Sequence, residues 1–299
     1  MIEIPKALAR GTVAREGRAG ADWLASLPGL AEELLTRWDL TPTAPALHGQ
    51  VAIVIPVRVG DGSAAVLKIS FPHPGNAHEP DAFAAWAGRG AVLLYRRDDA
   101  LFAMLLETAG QDTLTAVARV DDAVAAAGRL ARRLATPAPA AVPRLRDAAG
   151  QWEQELRDDE ALLRHPLPRR VVDAAAATLR ELGVDQPETL VHGDLHFGNI
   201  LRAEREPWLA IDPKGYAGDP AYDTITLLRG RPEDFRADPD PDTHLLRRLA
   251  VFSEAAEIDP ERSRRWAQAR AVQASLWGRK HGDPDWVIGM SDRIANLLA

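Results

Sequence analysis

A run of glycine, histidine, aspartate and asparagine around position 195 restricts the folds open to this chain more than any other segment. It reads His192-Gly193-Asp194-Leu195-His196-Phe197-Gly198-Asn199, and a second apolar segment ends at Ile211-Asp212. We predict a β-hairpin with the turn at 204–207, in which residue 201 pairs with 210 and residue 199 with 212. That register would place the Asn199 amide beside the Asp212 carboxylate. Mg²⁺ prefers such oxygen ligands, so the segment predicts a magnesium site.

The spacing within this run indicates phosphoryl transfer. Asp194 lies five residues before Asn199, which is the spacing of the catalytic loop H-x-D-x-x-x-x-N of kinases. In that loop the aspartate orients the attacking hydroxyl or accepts its proton, while the asparagine binds metal. We therefore predict Asp194 as the catalytic residue and Asn199 and Asp212 as magnesium ligands.

Lysine is rare in this chain, which makes one lysine informative. Of 36 basic residues only Lys6, Lys68, Lys214 and Lys280 are lysines. Lys68 lies in the middle of an apolar strand, where a compact ammonium group can contact ATP phosphates. Such a lysine needs a carboxylate to hold it, and Glu79 is the candidate. Lys214, two residues after Asp212, is equally well explained as a phosphate contact or as a solvated surface lysine.

Apolar segments separated by turn residues predict a sheet in the first half of the chain. The turn Gly60-Asp61-Gly62 joins two of the strands. A helix ending near Trp86 is inserted after the second strand, and a short strand before His48 completes five. The four longer strands are predicted at 51–57, 64–70, 91–96 and 101–106.

Two short segments are candidates for nucleotide contacts. Leu106-Glu107-Thr108-Ala109-Gly110 leads out of the sheet, so we expect backbone groups at Glu107 and Ala109 to contact the adenine. His48-Gly49-Gln50 is the candidate loop over the phosphates, with Gly49 allowing close approach. The expected cofactors are ATP, or another nucleoside triphosphate, and Mg²⁺.

The second half of the chain is predicted to be mainly helical. Trp266 and Trp277 lie eleven residues apart, about three helical turns, so we expect both to pack in the core. Asp219 and Asp223 are expected to have a structural role, either capping the next helix or supporting the catalytic loop. The chain therefore reads as an α+β protein with an N-terminal helical extension (1–45), an N-lobe with one helix (46–108) and a larger, mainly helical C-lobe (109–299). Helices are predicted at 121–135, 151–164, 170–182 and 264–278.

Composition excludes several classes of function. The absence of cysteine rules out disulfides, thiolate catalysis and zinc–thiolate sites. A net charge of −7 disfavours a nucleic-acid partner. No apolar run approaches the roughly 20 residues of a membrane-spanning helix, and the first residues lack the pattern of a signal peptide. We expect a cytoplasmic protein with a small-molecule partner and no membrane.

The motifs together resemble the aminoglycoside phosphotransferase family, and within it the branch of streptomycin 6-phosphotransferases and hydroxyurea phosphotransferases. The resemblance extends from about residue 45 to the Trp266–Trp277 helix. It implies a protein-kinase-like two-lobed fold, with Lys68 contacting phosphate, Glu79 as its partner and Asp194 as catalytic base. It further implies an alcohol group on a small molecule as the phosphate acceptor. The motifs that carry it are 192–201, Ile211-Asp212-Pro213-Lys214-Gly215 and Gly218-Asp219-Pro220-Ala221-Tyr222-Asp223.

Three other functions share part of this pattern. A metallophosphoesterase requires an Asp-x-His before the Gly-Asp pair, and the chain has one only downstream, at Asp242-Thr243-His244. A kinase-like fold that binds without catalysis would be expected to lack one of the site residues named above. A kinase of choline, homoserine or a sugar remains an alternative. The favoured acceptor is a polyhydroxylated cation of streptomycin type, or hydroxyurea. Candidate acidic residues for its pocket are Glu254, Glu257, Asp283 and Asp285.

Overall fold

The N-terminal part of the chain forms an antiparallel sheet. The computed structural model describes residues 2–299, apart from the side chain of Ala237. The sheet has the order β1-β3-β4-β6-β5, with β2 pairing to β3. The predicted strand before His48 is present as β2, whereas β1 was not predicted. The strands are β1 (Leu40–Pro42), β2 (Leu47–His48), β3 (Ala52–Val59), β4 (Ala64–Ser70), β5 (Leu94–Asp98) and β6 (Ala103–Glu107).

An N-terminal helical segment, interrupted at Gly17 by a positive φ of 57°, covers one face of this sheet. Helix α1 (Lys6–Arg37) buries Leu27 and Leu34 against Ile55 and Leu67 of the central strands. Alternate residues of a strand point to the same face, so β3 and β4 each contribute every second side chain to this core. The helix ends just before β1, and the two are adjacent in the fold.

Helix α2 (Glu79–Trp86) is inserted between β4 and β5 and connects the sheet to the rest of the molecule. Pro80 lies in its first turn, where the missing N–H of proline costs nothing. Phe83 and Trp86 are buried in a core shared with the following helices, and the Trp86 Nε1 donates to the Leu134 carbonyl over 2.8 Å. These contacts attach α2 to the helical part of the molecule.

The remainder of the chain is mostly helical and carries two small sheets. Strand β8 pairs with β7 and β11, and β9 pairs with β10 in a hairpin. Within residues 2–299, no helix is long and apolar enough to cross a membrane. The predicted α+β architecture of a small sheet lobe and a larger helical lobe is confirmed. The elements are α3 (Val120–Leu134), β7 (Thr136–Pro137), α4 (Leu145–Leu162), α5 (Arg169–Glu181), β8 (Thr189–Val191), β9 (Ile200–Arg202), β10 (Trp208–Ala210), β11 (Tyr216–Ala217), α6 (Thr224–Leu228), α7 (Pro232–Ala237), α8 (Pro241–Ala256), α9 (Pro260–His281) and α10 (Asp285–Leu297).

The two tryptophans of α9 have different environments. Trp266 is fully buried among α5, α6 and α10, as expected. Trp277 is 54% exposed and stacks on His281, so the prediction that it packs in the core is wrong. Both lie on one side of the helix, but α9 continues past the core, and its last turns border a cavity.

Candidate active site

The residues from His192 to Asn199, which we call the catalytic loop, are held by a buried histidine. The His192 Nε2 donates to the Ile211 carbonyl at 2.9 Å, and its Nδ1 accepts the Asp194 backbone N–H at 3.2 Å. Its ring stacks on Trp86. Burial lowers the pKa of His192 to about 4, so the ring is neutral and its Nδ1 remains an acceptor.

Of the two aspartates expected to cap the next helix or support this loop, Asp223 contacts the loop directly, whereas Asp219 caps the 3₁₀ turn at 220–223 by accepting the Ala221 N–H. Asp223 accepts the backbone N–H groups of His192 and Gly193 at 3.1 and 3.2 Å, and burial raises its pKa to about 7. The Asp219 carboxylate also accepts a hydrogen bond from the Trp266 Nε1 at 2.8 Å and forms an ion pair with Arg262. Both carboxylates are buried inside the fold, so neither is available to a ligand.

Asp194 and Asn199 lie five residues apart in this loop and are joined by a hydrogen bond. The Asn199 Nδ2 donates to the Asp194 backbone carbonyl at 3.0 Å. Because Nδ2 is committed in this way, the amide oxygen of Asn199 is the atom left for a metal ion. The Asp194 side chain lines a large cavity between helices of the C-terminal part of the chain.

The predicted register of the hairpin is wrong by one residue. Leu201 pairs with Leu209 and Ile200 with Ala210, and the Ile211 N–H donates to the Asn199 carbonyl at 2.9 Å. The turn has five residues rather than four, and Arg205 within it contacts other parts of the protein. Asn199 therefore lies opposite residue 211, and Asp212 follows immediately with a positive φ of 56°.

Lys68, Glu79 and Asp212 come together at the junction of the lobes. The Lys68 Nζ lies 2.6 Å from Glu79 Oε1 and 2.5 Å from Asp212 Oδ1. Burial alone would lower the pKa of Lys68, but the carboxylates of Asp212 and Glu79 raise it above its ordinary value. Burial opposes ionisation of Asp212, yet Lys68 and Lys214 lower its pKa overall. The charged forms of Lys68 and Asp212 thus stabilise each other.

The donor atoms at this junction fit a hard cation. Lys68 contacts Oδ1 of Asp212, while Oδ2 faces Gly49, where an added Cβ would lie 3.9 Å away. One carboxylate oxygen of Asp212 and the amide oxygen of Asn199 are therefore the oxygens left for Mg²⁺. The loop at Gly49 is in turn contacted by Arg15 of α1, which donates to the Gln50 carbonyl.

Glu107 and Ala109 lie in the segment that leaves the sheet, as predicted, but the Glu107 side chain has a structural role. Arg205 contacts both carboxylate oxygens of Glu107 at 2.9 and 2.8 Å, and the Leu93 N–H donates to Oε2. The Glu107 N–H donates to the Leu93 carbonyl. Ala109 packs partly buried against the core. At these two positions the backbone atoms are therefore the candidates for contact with a base.

A cavity of about 940 Å³ opens beside Asp194, and we call it the acceptor cavity. Of the four acidic residues proposed from sequence, Asp283 lines it, whereas Glu254, Glu257 and Asp285 do not. The last three therefore are not pocket residues; Glu257 pairs with Arg132 instead. Residues missed from sequence are Trp152, Glu155, Asp159, Arg229, Arg270 and Trp286.

The sequence contained a pattern that could have identified some of the residues lining the acceptor cavity. Trp152, Glu155, Leu156 and Asp159 follow the i, i+3, i+4, i+7 spacing of one helix face. An aromatic and acidic face on α4 is unusual for core packing, which uses apolar side chains. Arg229 and Arg270 gave no such signal, because they come from two helices distant in sequence.

Arg229 and Arg270 are two partly desolvated arginines close to Asp194. The Arg270 guanidinium lies 3.8 Å from the Tyr222 ring centroid. Burial lowers the pKa of Arg270 to about 10 and also lowers that of Arg229, while the charge of Asp194 acts in the opposite direction on both. Neither guanidinium has a hydrogen-bond acceptor in the described part of the chain. Their N–H donors are therefore available to a ligand in the cavity.

The chain is similar over most of its length to proteins of known activity. Residues 37–282 match the family model "Aminoglycoside/hydroxyurea antibiotic resistance kinase". A streptomycin 6-kinase of Streptomyces glaucescens is 37% identical over 94% of this chain and 92% of its own length. A hydroxyurea phosphotransferase of Kitasatospora aureofaciens is 38% identical over 95% of this chain and 82% of its own length.

Solved structures show the same fold at low sequence identity. The GDP complex of an aminoglycoside 2'-phosphotransferase IIIa mutant aligns with a TM-score of 0.57 at 16% identity, covering 90% of this chain and 96% of that one. The protein-kinase-like fold, the resemblance stated from the motifs and the assignment as a phosphotransferase acting on a small-molecule hydroxyl are confirmed. The chain belongs to the aminoglycoside/hydroxyurea antibiotic resistance kinase family.

Proposed function

We propose that this protein transfers the γ-phosphate of ATP to a hydroxyl of an aminocyclitol antibiotic of streptomycin type. The observation that carries the proposal is the acceptor cavity, which places aromatic and acidic side chains in one space with Asp194. Its volume is within the range of pockets for drug-sized ligands, roughly 300–1,000 Å³. A guanidinium-bearing sugar would stack on tryptophan and pair with carboxylates, two contacts that this wall offers.

The proposed roles follow from position. Asp194 would hold the acceptor hydroxyl and take its proton as the new P–O bond forms. Asn199 and Asp212 would hold Mg²⁺, which when bound neutralises charge on the phosphate oxygens. Lys68, fixed by Glu79, would contact the phosphates, and its present contact with Asp212 places its ammonium next to the proposed metal ligand. Lys214 is close enough for its charge to lower the pKa of Asp212, which favours its reading as a further phosphate contact.

The nucleotide would lie between the lobes. Backbone atoms at Glu107 and Ala109 are proposed to contact the base, and the Gly49 loop to cover the phosphates. Contacts made only by backbone are compatible with ATP or another nucleoside triphosphate, so either is accommodated. We further propose a cytoplasmic location, no nucleic-acid partner, and the division into an extension (1–45), N-lobe (46–108) and C-lobe (109–299).

Hydroxyurea is a second candidate acceptor, favoured by Arg229 and Arg270. Their unsatisfied N–H groups lie near Asp194 and would suit the carbonyl oxygen of a small neutral acceptor. The same donors would not favour a cation at the reacting end of the cavity. A molecule of a few heavy atoms would nevertheless leave most of the cavity unfilled, so the aminocyclitol is the first choice.

Mass spectrometry of the reaction products formed with single acceptors tests the proposal. Purified protein with Mg²⁺-ATP is incubated separately with streptomycin, hydroxyurea, choline, homoserine and a neutral sugar. We expect a mono-phosphorylated streptomycin product formed fastest. Phosphorylation of hydroxyurea alone would select the second candidate, and rapid phosphorylation of a metabolite alone would refute both antibiotics as acceptors.

A further inference from the structure

A groove outside the active cleft is lined by five arginines, and we call it the arginine groove. It measures about 890 Å³ and is bordered by the end of α2, the last turns of α3 and the turn between β9 and β10. No acidic side chain lines it anywhere in residues 2–299. The arginines are Arg89, Arg129, Arg132, Arg133 and Arg205.

Three of these arginines are held in place by acidic residues at the edge of the groove. Arg205 pairs with Glu107 and also donates to the Gly88 and Ala91 carbonyls at 2.6 and 2.8 Å. Arg133 pairs with Glu206 at 3.0 Å, and Arg132 with Glu257 at 2.5 Å. These pairs orient the guanidinium groups and lower the side-chain entropy that a ligand would have to remove.

The other two arginines have no partner. Arg89 and Arg129 are exposed, and neither guanidinium forms a hydrogen bond or ion pair with the residues that the structure describes. They border the same groove from two different segments, Arg89 from the loop after α2 and Arg129 from α3. Ten N–H donors thus border one concave surface without an acceptor, five on each guanidinium.

Helix capping explains only part of this cluster. Basic residues at the end of α3 interact favourably with the helix dipole. Arg129, however, lies three and four residues before Arg132 and Arg133, a spacing at which like charges repel. Arg89 and Arg205 come from other segments and gain nothing from that dipole. The chain as a whole carries a net charge of −7, so a general excess of basic residues does not explain the cluster either.

We propose that the arginine groove binds a small polyanion of linked phosphate groups. Arginine contacts phosphate oxygens in a bidentate manner, and several arginines from separate segments suit several phosphates. The volume suits a small molecule rather than a nucleic-acid strand. The site is separate from the proposed nucleotide site, where Lys68 and Asp212 lie.

Binding here would act on the position of α2. Arg89 follows α2, whereas Arg129, Arg132 and Arg133 belong to α3, so a bridging anion would tie the two helices together. The α2 residue Trp86 stacks on His192 of the catalytic loop, and Glu79 at the other end of α2 holds Lys68. The bound anion therefore stabilises the arrangement of the active cleft and raises the melting temperature.

The test uses inorganic tripolyphosphate as the probe. The nucleotide site is first filled with a non-hydrolysable ATP analogue, with Mg²⁺ in excess of both ligands and at physiological ionic strength. Isothermal titration should then show a saturable second site. The charge-reversal variant R89E/R129E should weaken it by at least roughly tenfold, since two arginine–phosphate contacts are lost and two repelling charges are added.

The control variant R10E/R170E reverses two exposed arginines that do not line the groove and changes the net charge equally. It should keep the tripolyphosphate affinity. Equal weakening in both variants, or no binding to the nucleotide-filled protein, would refute the site. A second titration with excess ATP analogue separates the sources: groove-dependent binding of it identifies a nucleotide, whereas binding of tripolyphosphate alone identifies an inorganic polyphosphate.

Discussion

Lys68 of β4 donates to Glu79, the first residue of α2, over 2.6 Å, and both side chains are almost fully buried. The pair connects the sheet to the helix that packs against the catalytic loop. A buried cation without its carboxylates would be strongly unfavourable, so the three charges of Lys68, Glu79 and Asp212 depend on one another.

We expect Lys68→Ala to lower kcat/KM by about 10²-fold or more, because a preorganised charge on the phosphates is lost. Lys68→Arg should also be poor, since the longer planar guanidinium cannot take the place of the ammonium between two carboxylates. Steady-state kinetics with circular dichroism as a folding check measure both variants. Lys6→Ala, at an exposed position, is the control. Wild-type activity of Lys68→Arg would mean that the ammonium geometry is unimportant.

Asp212→Ala is expected to abolish turnover and the dependence on Mg²⁺ concentration. The reason is that its free oxygen, together with the Asn199 amide oxygen, is the proposed cation site. Activity is measured across a magnesium titration, with Asp22→Ala, an exposed carboxylate on α1, as control. Near-normal activity of Asp212→Ala with Mg²⁺-ATP would contradict the metal assignment.

Asp194→Asn should retain acceptor binding but lose phosphoryl transfer by roughly 10²–10⁴-fold, because the amide cannot accept the hydroxyl proton while the cavity keeps its shape. Calorimetric titration of the acceptor gives the affinity, and product formation gives kcat. If the acceptor affinity and kcat fell together, Asp194 would be needed for the structure of the cavity rather than for proton transfer from the hydroxyl.

The contribution of His192 to stability should depend on pH. Its pKa is about 4 in the folded protein and about 6.5 when unfolded. The unfolded state therefore binds more protons between these values, so the contribution is fully present above about pH 6.5 and is lost as the pH falls towards 4. The shift corresponds to about 3 kcal/mol.

Comparing wild type with His192→Asn isolates this contribution. Asp223, with its pKa raised to about 7, gives a slope of opposite sign in the same range, but it is present in both proteins. Denaturant unfolding at several pH values should show the difference in unfolding free energy shrinking between pH 7 and 5. A difference that stays constant would mean that His192 is not buried as a neutral ring.

The sequence predicted the parts of the site that depend on local spacing. Asp194 and Asn199 belong to one loop, and Lys68 is conspicuous because lysine is rare. The hairpin register was missed by one residue because the length of its turn depends on Arg205, which reaches Glu107 ninety-eight residues away in sequence. Trp277 was misassigned for a similar reason: helical periodicity gives the face of a residue but not where the core ends. Arg229 and Arg270 meet only in three dimensions.

Glu155 and Asp159 of α4 line the acceptor cavity with two carboxylates. If the acceptor is a streptomycin-type cation, Glu155→Gln and Asp159→Asn should each raise the KM for it by roughly 3- to 10-fold and leave kcat nearly unchanged, because they remove ground-state attraction remote from the reacting atoms. KM should also rise with ionic strength, and less steeply in the variants, since salt screens the same attraction.

Asp159 pairs with Lys280 at 2.7 Å, so Lys280→Met should lower KM by releasing that carboxylate. Glu254→Gln is the matched control, an acidic residue of the same lobe that does not line the cavity. Identical KM values in all four variants would show that these carboxylates do not contact the acceptor. If KM for hydroxyurea alone responded to a change at Arg229, the neutral acceptor would be favoured.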